Sequence, residues 1–227
     1  MREGEERVMI SLETLACCLT CLGGVALCLW GDARERGRLL GLGKMIASVS
    51  FLTLALYAPE GGALGDRYLL GVRLALSASL VGDACLIWRT ELAFLAGLGA
   101  FLVAHVLFAW ASLSALSSLS LTGWLVGGVA LALGGLVLRW LRPSIPQGLW
   151  WPSVAYMCVI SGMVSTCLQL SIERGDTLVG LAAVGFWISD LSVARDRFQS
   201  LGLRNRLWGI PLYFASQLLF GLSLYPH

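Results

Sequence analysis

Charge is what this chain has least of. Its 14 acidic and 16 basic side chains make up 13% of 227 residues, about half the ~25% of an ordinary soluble domain. So little polarity cannot cover a water-facing surface. With 57% hydrophobic residues and a mean hydropathy of +0.78, the chain reads as an all-α polytopic membrane protein. It has two histidines, His105 and His227, too few for a histidine-rich metal cluster, and no H-E-x-x-H for a zincin site. G-x-S-x-G is absent, which removes the nucleophile elbow of serine lipases, and G-x-x-x-x-G-K-[ST] is absent, which removes the phosphate loop of nucleotide enzymes. A net charge of +2 spread over many loops does not suit nucleic acid. No metal and no cofactor is expected, and the bilayer is the expected surroundings.

All seven cysteines, Cys17, Cys18, Cys21, Cys28, Cys85, Cys158 and Cys167, lie in apolar segments, which reads as reduced, buried or lipid-facing thiols. Cys17-Cys18-x-x-Cys21 has no second pair or histidine to make a metal site, and lipidation of the cluster is undecided by sequence. The first ten residues, MREGEERVMI, are mixed in charge and no A-x-A pattern follows. The first apolar run therefore reads as a retained helix and not as a cleaved signal.

Eight apolar runs recur, each long enough to cross a ~30 Å hydrocarbon core: Ser11–Trp30, Arg38–Ala58, Tyr68–Trp88, Leu92–Ala111, Ser120–Trp140, Leu149–Ser171, Thr177–Ala194 and Leu207–Tyr225. The reading is one integral-membrane domain, residues 1–227, a bundle of eight transmembrane helices. The connectors are short and carry breakers such as Gly31-Asp32, Pro59-Glu60-Gly61-Gly62 and Pro143-Ser144-Ile145-Pro146. The second run begins amid Arg34, Arg36, Arg38 and Lys44 and holds several Gly and Ser. Trp30, Trp88, Trp140, Trp150, Trp151 and Trp208 fall at one face, Trp110 and Trp124 near the other, as interfacial belts do. Trp187 alone is deep, as core packing or a cavity wall. The face bearing loops 1–2, 3–4, 5–6 and 7–8 has most of the arginines, together with Lys44. The positive-inside rule puts that face in the cytoplasm and both termini outside. Gly23-Gly24, Gly127-Gly128, Gly134-Gly135, Gly97 and Gly99 are assigned to close helix packing.

Two aspartates, Asp83 and Asp190, sit inside apolar runs. An unpaired carboxylate there costs a few kcal/mol even on the gentlest scale, and such residues face a bundle interior or a wet cavity. Counted at about 1.5 Å per residue from Trp88 and Arg195, each lies roughly 8 Å below the basic face. Tyr156 and Tyr213 fall at about the same level, and Gln217 about one turn deeper, near 14 Å. His105, counted from Glu91, lies roughly 20 Å in, past the midplane. Two carboxylates with tyrosines and an amide suit acid–base work on an uncharged bond. The bland alternative is that each aspartate pins a neighbouring helix: Asp83 through a hydroxyl, Arg73 or Arg89, and Asp190 through Arg195 or a facing helix.

Gly82-Asp83-Ala84-Cys85-Leu86-Ile87-Trp88, Gly97-x-x-x-Phe101-x-x-x-His105, Ala155-Tyr156, Gly185-Phe186-Trp187-Ile188-Ser189-Asp190 with Arg197-Phe198, and Tyr213-x-x-x-Gln217 together resemble the YhhN-like family of eight-span membrane proteins. Its characterised vertebrate members are lysoplasmalogenases, and Gly82–Trp88 is especially similar to the liver-type enzyme. Phe108 departs from the pattern, since relatives often carry Tyr three residues after the histidine. The resemblance implies hydrolysis of the vinyl ether of a lysophospholipid (lysoplasmalogen) in the endoplasmic reticulum membrane. It makes Asp83 and Asp190 the acid/base pair, with the division of roles open. Tyr156, Tyr213, Gln217 and His105 are positioning candidates, and Arg89, Arg195 and Arg197 would hold phosphate. The runner-up is a proton- or ion-coupled lipid transporter or scramblase. It is suggested by a rough similarity of spans three–four to spans seven–eight, each pair led by a small residue plus Asp. A non-catalytic lipid-binding protein is a third reading.

Overall fold

The computed structural model describes residues 12–88, 90–199 and 202–226. The N-terminal decapeptide, Arg89 and His227, weighed above, lie outside the described residues. The rest forms eight long helices: α1 (Leu12–Ala33), α2 (Gly37–Tyr57), α3 (Asp66–Cys85), α4 (Glu91–Ala115), α5 (Leu121–Leu141), α6 (Trp150–Arg174), α7 (Thr177–Gln199) and α8 (Leu203–Leu222). Short 3-10 turns at Arg142–Ser144 and Gln147–Leu149 join α5 to α6. One helix answers to each apolar run. Seven are long and apolar enough to cross a membrane, and the chain is a multi-pass membrane protein. The eighth, α8, carries Arg204, Asn205, Arg206 and Pro211 in its first half and lies against α7, α2, α1 and α3.

The helices start and stop where local chemistry dictates. The Thr90 and Ser120 side chains accept from the Ala93 and Gly123 amides, capping α4 and α5. Gly175 ends α6 at φ 70°, a left-handed conformation that glycine adopts without a Cβ clash. Arg73 on α3 donates to the carbonyls of Ala55 and Ala58 at the end of α2, at 3.0 and 2.8 Å. Those carbonyls have no partner within their own helix. Trp30, Trp88, Trp140, Trp151, Trp110 and Trp124 are all exposed, as lipid-interface tryptophans are.

Sequential helices pair as antiparallel hairpins, α1 with α2, α3 with α4, α5 with α6 and α7 with α8. Helix α6 also packs on α4 and α7, and α2 on α3 and α8, whereas α5 packs closely on α6 alone among the long helices. The small residues that made the second run look irregular close the α1–α2 hairpin. A Cβ on Gly43 of α2 would run into the Cys28 backbone nitrogen of α1, and one on Gly24 of α1 would stand 2.7 Å from the Ala47 backbone nitrogen, while one on Gly23 would meet nothing within 4 Å. Gly24→Leu is expected to cost about 1–3 kcal/mol by overpacking, read as a lower midpoint of thermal unfolding in detergent. Gly23→Leu should leave that midpoint unmoved. At the basic face Arg206 binds Asp32 of α1 and lies 3.5 Å from Asp196 of α7, tying α8 to both.

Candidate functional site

Asp190 lies in α7, nine residues before Gln199. Its Oδ2 accepts from the Tyr156 hydroxyl of α6 at 2.6 Å and stands 3.5 Å from Nε2 of His105 on α4. The other ring nitrogen of His105, Nδ1, is 2.6 Å from the Phe101 carbonyl. A carbonyl only accepts, so Nδ1 carries a hydrogen and donates it. In the neutral ring Nε2 then holds a lone pair aimed at Oδ2, buried and without another partner. Two such atoms face each other favourably only with a proton between them. Asp190 Oδ1 makes no hydrogen bond among the described residues.

Asp83, near the end of α3, is fully buried in a different cluster. Lys44 Nζ of α2 lies 3.2 Å from Oδ1, and the Ser48 and Tyr213 hydroxyls donate to Oδ2 at 2.6 and 2.8 Å. An ammonium and two hydroxyls satisfy this carboxylate, as a buried charge requires. The two aspartates are linked through aromatic rings. Tyr213, held by Asp83, packs on Phe186 at 5.5 Å, and Phe186 packs on His105 at 4.4 Å between ring centroids.

His105, Asp190 and Tyr156 therefore share one level, which corrects the difference in depth inferred between His105 and Asp190. Residue counting puts helix ends on one plane, but α7 continues past Arg195 to Gln199 and α8 begins at Leu203. Membrane helices also tilt by ~20°. Arg195 does not pair with Asp190; its guanidinium lies over the Trp140 ring of α5 at 5.5 Å. Gln217 is buried with both amide atoms unpartnered and joins neither cluster.

Lys44 and Ser48 were missed as site residues. Lys44 was counted with the loop charges, yet it lies seven residues inside α2. The signal was available, because Lys44 is the only lysine of the chain and stands in an apolar run.

A groove reaches Asp190 from the basic face between the ends of α4, α5, α6 and α7. Phe94, Val137, Leu141 and Leu191 are among its apolar walls, and Ile160 and Trp187 form its deep end. Trp187 is thus a cavity wall. Apart from Tyr156 and Asp190, the polar lining is Ser153 and Arg197. Arg197 lies seven residues from Asp190 on the same face of α7, with its guanidinium 4.3 Å over the Phe94 ring. Asp83 does not line this groove. An apolar cleft with a few convergent polar groups is the usual form of a small-molecule site. Among the described residues no three His, Cys, Asp or Glu side chains converge as metal ligands.

The YhhN family model matches residues 42–224, which hold both aspartate clusters and the whole groove. The chain belongs to the YhhN family. A human lysoplasmalogenase TMEM86B is 33% identical to this YhhN protein over 215 residues, 92% of this chain and 83% of its own. A pig (Sus scrofa) lysoplasmalogenase TMEM86B is 33% identical over 184 residues, covering 81% and 75%. A bovine (Bos taurus) lysoplasmalogenase TMEM86A is 30% identical over 156 residues, covering 66% and 63%. No solved structure matches the chain.

Proposed function

We propose that this YhhN protein is a lysoplasmalogenase. It hydrolyses the vinyl ether bond of lysoplasmenylcholine or lysoplasmenylethanolamine to a fatty aldehyde and the glycerophospho-base. Its relatives' names support the activity, and one observation carries the chemistry: Asp190 is the one carboxyl group lining a mostly apolar groove. A vinyl ether is cleaved by protonating its β-carbon, which makes an oxocarbenium ion at the α-carbon. Asp190 delivers that proton, and the carboxylate left behind stabilises the cation, as in glycosidases. Water then adds to the α-carbon and returns a proton to Asp190. The hemiacetal collapses to aldehyde and free glycerol hydroxyl. Tyr156 and His105 orient the carboxyl group through Oδ2, and the proton that goes to the β-carbon is the one held between Oδ2 and His105 Nε2. Asp83 and Lys44 act at one remove, by fixing Tyr213 and through it the ring of Phe186 against His105. An endoplasmic reticulum membrane location accompanies this reading, and imaging of the tagged chain checks it.

Arg197 at the rim binds the phosphate. Its distance from Asp190 suits a lysophospholipid, whose phosphorus and sn-1 ether oxygen are five covalent bonds, about 6 Å, apart, against about 10 Å of helix rise bridged by the arginine side chain. Arg197→Gln is expected to raise KM about tenfold with little change in kcat, the pattern of a lost ground-state contact. The reaction is tested with purified protein and lysoplasmenylcholine in deuterated water. Free aldehyde bearing one deuterium on the carbon next to its carbonyl is expected. A protein that moves the lipid between leaflets and releases no aldehyde is a transporter, and the proposal fails.

A further inference from the structure

The groove is too short for the substrate's chain. Measured along α7, Trp187 closes it three residues, about 4.5 Å, below Asp190. On α6 the buried Ile160 closes it four residues, about 6 Å, below Tyr156. A lysophospholipid chain spans about one leaflet, ~15 Å. With the phosphate at Arg197 and the vinyl ether at Asp190, most of that chain has no room below the reacting bond.

The side of the groove offers room. Helix α5 packs closely on α6 alone, so its edge towards α7 is free of close backbone packing. At the rim that edge is bridged by Arg195 of α7 lying over the Trp140 ring of α5. Ile188 is seven residues before Arg195 and therefore on the same face of α7, about 10 Å deeper. It lines the groove and is still 38% exposed. Ile188 is only two residues from Asp190, so the wall is open beneath the Arg195–Trp140 bridge at the level of the carboxylate. On α5, Val137 and Leu138 line the groove two to three residues below Trp140 and form the other jamb's upper part. All three side chains are apolar and can face hydrocarbon without cost.

We propose that the α5–α7 seam is a lateral portal. The lipid enters from the bilayer, only its head and vinyl ether occupy the protein, and the chain stays among the bilayer lipids past Ile188 and Leu138. This inference rests on the lysoplasmalogenase reading and adds how that substrate is held.

The test compares a long-chain (hexadecenyl) lysoplasmenylcholine with a butenyl analogue that fits inside the groove. Ile188→Trp, and independently Leu138→Trp from the other jamb, narrow the seam. Each is expected to lower kcat/KM for the long chain at least about fivefold more than for the short one. Equal losses on both substrates, or no loss on the long one, overturn the portal. Binding of the hexadecyl alkyl-ether lysophosphocholine, which has no vinyl bond to cleave, is measured on the same proteins. If wild type makes no aldehyde but the two variants bind this probe about tenfold more weakly, the activity is refuted and the portal stands. If their binding equals wild type, the portal is refuted as well.

Discussion

Asp190→Asn is expected to fold normally and to lose about 10²–10⁴ in kcat, the usual contribution of a positioned general acid. The amide has nearly the shape of the carboxyl group, and its nitrogen in the place of Oδ2 can donate to His105 Nε2 and to the Tyr156 hydroxyl oxygen, now 3.5 and 2.6 Å from Oδ2. What it cannot do is give up a proton to carbon and take one back from water. The measurement is single-turnover release of aldehyde from lysoplasmenylcholine, with the unfolding midpoint in detergent as control. Near-normal turnover in a well-folded Asp190→Asn protein would remove the acid from this groove and return it to Asp83.

The largest stability effect is expected at the other aspartate. Lys44→Met leaves Asp83 buried with only two hydroxyls for partners, and breaking a buried ion pair from one side costs about 3–5 kcal/mol. The double variant Lys44→Met/Asp83→Leu removes both charges and should recover most of that loss, because a buried pair is often replaceable by apolar packing. Recovery stays incomplete because Tyr213 loses its acceptor; Ser48 still bonds the Lys44 carbonyl, 2.9 Å away. Thermal unfolding of the two single variants and the double gives the coupling directly. Activity of the double separates two roles for Asp83. A residue that only positions Tyr213 leaves it within about tenfold of wild type, whereas a residue that exchanges protons with the substrate leaves it as inactive as Asp190→Asn.

The polar atoms at membrane depth were legible residue by residue, because hydrocarbon makes each of them expensive and so conspicuous against its neighbours. Asp83, Asp190, Tyr156, Tyr213, Gln217 and His105 all stood out that way. Their grouping did not. A count along one helix gives distance from that helix's end, and ends at Gln199 and Leu203 are set by loops that hydropathy does not locate. Lys44 is conspicuous as the lone lysine, but its direction is not legible, for a related reason. At seven residues from the start of α2 a lysine can snorkel to the interface or turn inward, and only the facing helix says which.

The sequence by itself determined that the chain lives in a bilayer, that helices fill it, where each helix lies to within a few residues, and which side chains are too polar to be there without a reason. Length and hydropathy suffice for these, since every backbone polar group in lipid must be satisfied within its own helix. The tertiary structure decided what azimuth decides. Asp83 turns to Lys44, Ser48 and Tyr213, Asp190 turns to Tyr156 and His105, and only Asp190 opens on a groove. Lipid surrounds such a helix on most sides, so its sequence carries little record of which face meets which neighbour, and packing of small and polar residues across helices makes that choice.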